Sequence, residues 1–85
     1  MSWYVYILEC SDGSLYTGIT NDVEARIGKH NSGKGAKYTR GRTPVVLKAS
    51  WEYETKAEAA KEEYALKKLT RPKKLELIET MLRTK

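Results

Sequence analysis

Two aromatic, β-branched runs on either side of an Asp-Gly pair constrain this chain more than any other feature. Trp3 to Cys10 reads WYVYILEC, and the same character resumes from Leu15 to Ile19 after Ser11-Asp12-Gly13-Ser14. Such residues suit a pleated, half-buried surface. Asp-Gly accepts the positive φ that a tight reversal needs. The stretch therefore predicts an antiparallel hairpin, and Val45 to Tyr53 predicts a third strand of the same kind. With 85 residues in all, there is material for one hydrophobic core, so residues 1–85 are expected to form a single domain.

Helix signals fill the gaps. Asn21 with Glu24 three residues on has the form of a capping box, and Asp22 suits the positive end of the helix dipole. That helix is expected to run to His30 or Asn31. Thr55 and Glu58 repeat the signature for a helix reaching Leu69. Thr70 is expected to cap a last helix, with Pro72 in its first turn and Leu75, Ile78 and Leu82 as its apolar stripe. Between Asn31 and Thr43 the glycines Gly33, Gly35 and Gly41 and the lack of an apolar period predict loop. The order is ββαβαα. It implies an α+β fold, a three-stranded antiparallel sheet flanked by helices.

The charge balance points to a polyanion. Sixteen Lys+Arg oppose eleven Asp+Glu, a net +5, which favours a polyanionic partner such as nucleic acid. One cysteine, Cys10, excludes an internal disulfide framework and a thiolate zinc site, and its place in a strand predicts a buried, inert thiol. MSWYVYILEC has neither a basic leader nor a long apolar core. A reducing cytoplasmic setting without membrane attachment is the expectation.

Four groups of residues can carry chemistry. Tyr6 and Tyr16 flank the turn and place two phenols on adjacent strands, where they can orient or exchange a proton near a phosphate. Gly18, ahead of the helix cap, eases a tight turn or lets backbone approach a phosphate. Arg26 and His30, four apart, share a helical face at the boundary of core and solvent. The functional use is to grip a phosphate; the plain structural one is a snorkelling arginine and a half-buried histidine.

Glu63 projects into the apolar arc of its helix, between Ala57, Ala60 and Tyr64 on one side and Ala59 and Leu66 on the other. A carboxylate there needs compensation. Either Lys67 one turn on pairs with it, or it serves a divalent cation that keeps several waters. Finally, Lys29, Lys34, Lys37, Arg40 and Arg42 fall in one glycine-bearing stretch with Tyr38 and no acid. That composition suits a loop tracking a nucleic-acid backbone.

Tyr4-Val5-Tyr6 followed by Tyr16-Thr17-Gly18 resembles the paired signature of the GIY-YIG endonuclease superfamily. Arg26 with His30 and Glu63 within Glu62-Glu63-Tyr64-Ala65 match its helical positions, and His30-Asn31-Ser32-Gly33-Lys34-Gly35-Ala36-Lys37-Tyr38-Thr39 resembles its small stand-alone bacterial members. The likeness spans about Trp3 to Leu77. It implies metal-dependent hydrolysis of phosphodiester bonds, with one Mg²⁺ or Mn²⁺ on Glu63. Tyr6, Tyr16, Arg26 and His30 are then catalytic, and Gly18, Lys34, Lys37, Tyr38, Arg40 and Arg42 contact nucleic acid. DNA is the implied substrate ahead of RNA, in structured, damaged or single-stranded form during repair or recombination. The alternative is a non-catalytic DNA- or RNA-binding module working through residues 29–42. Ile19 stands where some members carry a lysine after the second motif, so a lysine-tuned phenol is not available here.

Overall fold

In the computed structural model the described residues are 2–35 and 37–84, with side chains described as far as residue 80. Strands β1 (Trp3–Glu9), β2 (Leu15–Thr20) and β3 (Val46–Tyr53) alternate with helices α1 (Val23–Asn31), α2 (Lys56–Lys67) and α3 (Arg71–Thr84) in the order ββαβαα. The sheet is antiparallel throughout with strand order β2-β1-β3. The expected α+β architecture is the one observed.

The hairpin closes as its turn residues require. Gly13 has φ +85°, and the Asp12 carboxylate accepts from the Ser14 amide at 3.0 Å and the Ser14 hydroxyl at 2.6 Å. This local bonding stands in for backbone pairs that the reversal leaves unmade. The turn sets the register: Tyr6 lies opposite Gly18 and Leu8 opposite Tyr16. Tyr6 and Tyr16 are thus diagonal neighbours on one face, the separation at which large rings touch across a sheet.

Period-two alternation then sorts the core into two layers. Tyr6, Leu8, Cys10 and Val45 are buried on one face with Ile27 of α1 against them. Val5 packs on Ala59 and Leu66 of α2, and Ile7 and Ala49 on Ile78 of α3. Val5, Ile7 and Leu8 are fully buried, each contributing about 1.5–3 kcal/mol of apolar transfer. β1, buried on both faces, is the strand on which the two layers meet. Cys10 is a buried free thiol, as expected.

Several boundaries and faces differ from expectation. The N-cap of α1 is Asp22, not Asn21: its carboxylate accepts from the Ala25 amide at 3.1 Å. Thr20 decides this by bonding to both the amide and the carbonyl of Asp22, which fixes Asp22 as the extended residue before the first turn. Thr55 does cap α2, accepting from the Glu58 amide and donating to its carboxylate. On α3 Ile78 is buried but Leu75 is 40% exposed, and the Leu82 side chain lies outside the described residues. α3 is instead tied down at its start, where Arg71 donates to the Gly13 carbonyl. The expected loop from Asn31 to Thr43 contains a single 3-10 turn, Lys37–Thr39.

Candidate active site

Three elements converge on the face carrying Tyr6. The Tyr6 and Tyr16 ring centroids are 6.3 Å apart, and the His30 ring from α1 stands edge-on to both, at 6.1 and 5.3 Å. Tyr6 Oη and His30 Nε2 are hydrogen-bonded at 3.1 Å. Behind the imidazole, Nδ1 meets the Thr39 hydroxyl at 2.8 Å. His30 and Thr39 are buried, at 1% and 0% exposure. The expected half-buried histidine is therefore a core residue with both ring nitrogens occupied.

Glycines make this arrangement possible. A Cβ at Gly18 would lie 2.5 Å from Tyr6 Oη and 2.7 Å from Cζ, so the Tyr6 ring leans over a bare backbone. Gly35 does the same for the histidine: a Cβ there would lie 2.7 Å from His30 Cγ and 2.8 Å from its Cα. The loop after α1 can fold over the imidazole only because this position has no side chain.

Arg26 and Glu63 supply the charge. Arg26, half-buried on α1, lowers the phenol pKa values of Tyr6 and Tyr16, while Glu63 from α2 raises both. Burial outweighs these effects and holds both phenols above their ordinary range, so they are protonated at neutral pH. Burial, then the Arg26 cation, pushes His30 below its usual value, so its imidazole is neutral. Glu63 follows Ala59 by one turn and precedes Leu66 by one, which seats it beside the two buried residues of α2. Ala57 and Tyr64 do not share that arc: Ala57 is exposed, and Tyr64 is 65% exposed with the Lys68 ammonium over its ring. The Glu63 side chain is 22% exposed and pairs with Lys67, Nζ to Oε1 3.7 Å.

The chain from Trp3 to Glu76 carries these features in the order and on the elements of one family, and the match to the family model described as "GIY-YIG catalytic domain" covers residues 2–76. The chain belongs to the GIY-YIG family. It is 60% identical over 78 residues to the UPF0213 protein BH0048 of Halalkalibacterium halodurans, covering 92% of this chain and 83% of that one. A UPF0213 protein of Staphylococcus aureus is 61% identical over 77 residues, 91% and 94% of the respective chains. Among solved structures, the solution NMR structure of BH0048 from Bacillus halodurans superposes with a TM-score of 0.61 at 59% identity, covering 94% and 85%. The NMR structure of the protein EF2693 from E. faecalis gives 0.65 at 47% identity, covering 95% and 86%.

The basic loop of this GIY-YIG domain is docked at one end and open at the other. Arg42 pairs with Asp12 at 3.2 Å, donates to the Ser14 hydroxyl, and covers the Tyr38 ring at 4.6 Å. Tyr38 in turn packs near Tyr16, centroids 5.7 Å apart. Arg42 and Tyr38 thus brace the hairpin, whereas Lys34, Lys37 and Arg40 are exposed. Arg26 and Lys29 line a recess of about 100 Å³ together with Thr20, Asn21, Asp22 and Ala25. A larger hollow, about 410 Å³, lies between Tyr4, Asp22, Glu24 and Leu47. Its two carboxylates make it a poor seat for a phosphate, and none of the expected site residues line it.

For three residues the sequence carried no more than membership of the resembling stretch His30 to Thr39, and gave no role. Thr39 and Gly35 act through His30, at separations that no local period connects. Asn31 clamps the start of β3, its side-chain oxygen accepting from the Val45 amide at 2.7 Å. Among the described residues no helix is long and apolar enough to cross a membrane.

Proposed function

We propose that this chain is an endonuclease that hydrolyses phosphodiester bonds in DNA with one bound Mg²⁺ or Mn²⁺, acting on structured, damaged or single-stranded DNA in repair or recombination. GIY-YIG nucleases act on nucleic acid and use divalent metals, and the reading refines that frame for this chain. The observation that carries it is the packing of Tyr6, Tyr16 and His30 against one another, ring centroids 5.3 to 6.3 Å apart, with Tyr6 hydrogen-bonded to His30. Two neutral phenols, a neutral imidazole, a guanidinium and one carboxylate within electrostatic reach of each other suit phosphoryl transfer.

The donor set fits a hard divalent ion. Among the described residues no three His, Cys, Asp or Glu side chains form a cluster, and Mg²⁺ commonly takes one or two carboxylates with the remaining ligands from water and phosphate oxygens. Glu63 would hold the ion, which would offset charge on the phosphate and acidify a bound water. Arg26 meets the developing charge on the phosphoryl oxygens. Tyr16, less buried than Tyr6, orients the phosphate. Tyr6 and His30 handle the proton leaving the attacking water. Lys34, Lys37 and Arg40 contact flanking phosphates, which carry no base code, so nucleic-acid shape rather than sequence governs choice. The buried free thiol Cys10 suits the reducing cytoplasm in which such a substrate lies.

The test is cleavage of end-labelled branched, nicked and single-stranded DNA with Mg²⁺ or Mn²⁺. Metal-dependent cutting is expected that Glu63→Ala and Arg26→Ala each reduce by about 100-fold or more, with DNA binding retained. Equal cleavage by wild type and Glu63→Ala rejects the reading. The Glu63–Lys67 pair favours a second reading, a DNA- or RNA-binding module without turnover. Salt-sensitive binding that Lys34, Lys37 and Arg40 substitutions weaken, with no cutting in any metal, selects that one.

A further inference from the structure

We propose that Thr39 is a positioning residue that fixes the tautomer of His30, keeping the proton on Nδ1 so that Nε2 is the acceptor facing Tyr6. The inference deepens the nuclease reading and rests on it for its catalytic consequence, though not for the tautomer itself.

The argument starts from counting protons. A neutral imidazole has one donor nitrogen and one acceptor. Both nitrogens of His30 have hydroxyl partners, Tyr6 Oη at 3.1 Å and Thr39 Oγ1 at 2.8 Å. With ring and partners buried at 2% exposure or less, water cannot substitute for either bond. Two arrangements satisfy the ring. In one, Tyr6 donates to Nε2 and Nδ1–H donates to Thr39; in the other, every direction is reversed.

Chemistry favours the first. Tyr6 is protonated, and a phenol, whose ring delocalises charge on its oxygen, is intrinsically a better hydrogen-bond donor than an aliphatic hydroxyl. The stronger donor binds the free lone pair, and the remaining ring proton is left for the weaker donor's oxygen. Gly35 maintains this contact by letting the loop bearing Thr39 close over the imidazole.

This orientation resolves a difficulty in the chemistry. A protonated phenol cannot gain a second proton, but it can pass one on. Water attacks phosphorus and forms the new P–O bond as its proton moves to Tyr6 Oη, while the Tyr6 proton moves to His30 Nε2. The P–O bond to the leaving oxygen breaks with its electron pair on that oxygen, which takes a proton from solvent. The imidazolium, with its Nδ1–H already on Thr39, returns its extra proton through the Tyr6 hydroxyl, the partner of Nε2. Thr39 touches no reacting atom; it acts through the ring, as an orienting partner does for a catalytic histidine.

Long-range ¹⁵N–¹H NMR of the single histidine near pH 7.5, alongside steady-state cleavage of branched DNA, tests this. The wild type is expected to show Nδ1–H with an unprotonated Nε2. In Thr39→Val, which keeps the volume but loses the acceptor, the ring is expected to shift toward Nε2–H, with kcat down roughly 100-fold and KM little changed. Thr39→Ser is expected to restore both signals. An Nε2–H tautomer in the wild type overturns the proposal, and so does a Thr39→Val protein with the wild-type tautomer and kcat. Should Thr39→Val not fold, the wild-type spectrum and Thr39→Ser still decide. Absence of cleavage by the wild type, with the tautomer shift intact, refutes the nuclease reading while leaving the role of Thr39 in place.

Discussion

Replacing Gly18 by alanine puts the geometry around Tyr6 under direct strain. The added methyl would sit 2.5 Å from the Tyr6 hydroxyl oxygen, 2.7 Å from Cζ and 3.1 Å from Tyr16 Cε2, where ordinary contacts begin at 3.4 Å. The Tyr6 hydroxyl must therefore retreat by 0.5 Å to reach 3.0 Å and by 0.9 Å to reach ordinary contact at 3.4 Å, yet its ring is buried at 2% exposure and its hydroxyl is tethered to His30 at 3.1 Å. Overpacking of this kind costs about 1–3 kcal/mol. Against it stands the gain of about 0.5–1 kcal/mol from removing a glycine from a strand interior. At the middle of these ranges the clash wins by about 1 kcal/mol, and for a domain of this size that lowers Tm by about 4–8 °C. Thermal unfolding followed by circular dichroism measures the loss, and Tyr6 ring shifts report the displaced phenol. Cleavage is expected to fall with it, because the Tyr6–His30 bond lengthens. A Gly18→Ala protein as stable and as active as wild type would refute the reasoning, since it would mean that the phenol does not lean over this backbone.

Two other expectations follow from single atoms. The Thr17 hydroxyl is buried without a hydrogen-bond partner among the described residues, so Thr17→Val is expected to raise stability by about 1 kcal/mol, read as a higher midpoint of urea unfolding; a lower midpoint would contradict it. His30, the chain's one histidine, has its pKa lowered by burial and Arg26. The unfolded chain therefore takes up this proton first on acidification. The stability contributed by neutral His30 is present above pH ~6.5 and declines as pH falls through the lower folded value. Urea midpoints are expected to drop between pH 7.5 and 5.5 in the wild type and to stay nearly flat in His30→Asn.

What the sequence made legible was mostly local. Asp12-Gly13 between two β-rich runs named the hairpin, because turn chemistry and period two agree there. Thr55 with Glu58 located α2 for the same reason. At α1 two good cap residues stood side by side, and the choice of Asp22 over Asn21 came from Thr20, whose hydroxyl bonds forward. The flat polar character of α2 hid which of its alanines are buried: Ala59 is at 0% exposure while Ala57 faces out. Of the arc expected around Glu63, Ala59 and Leu66 are buried while Ala57 and Tyr64 are not. Least legible was residues 31–43. Thr39, Gly35 and Asn31 matter through what they touch, and those contacts cross 9 to 14 positions or rest on the absence of a side chain.

The two layers of this protein meet on β1, and the proposed machinery draws on both. Tyr6, Tyr16 and His30 belong to the layer under α1, while Glu63 comes from the helix packed on the opposite face. No half of the molecule holds a working set of groups. On the proposed roles, the hairpin and first helix alone lack the metal-holding carboxylate, and the set is complete only with the second helix docked.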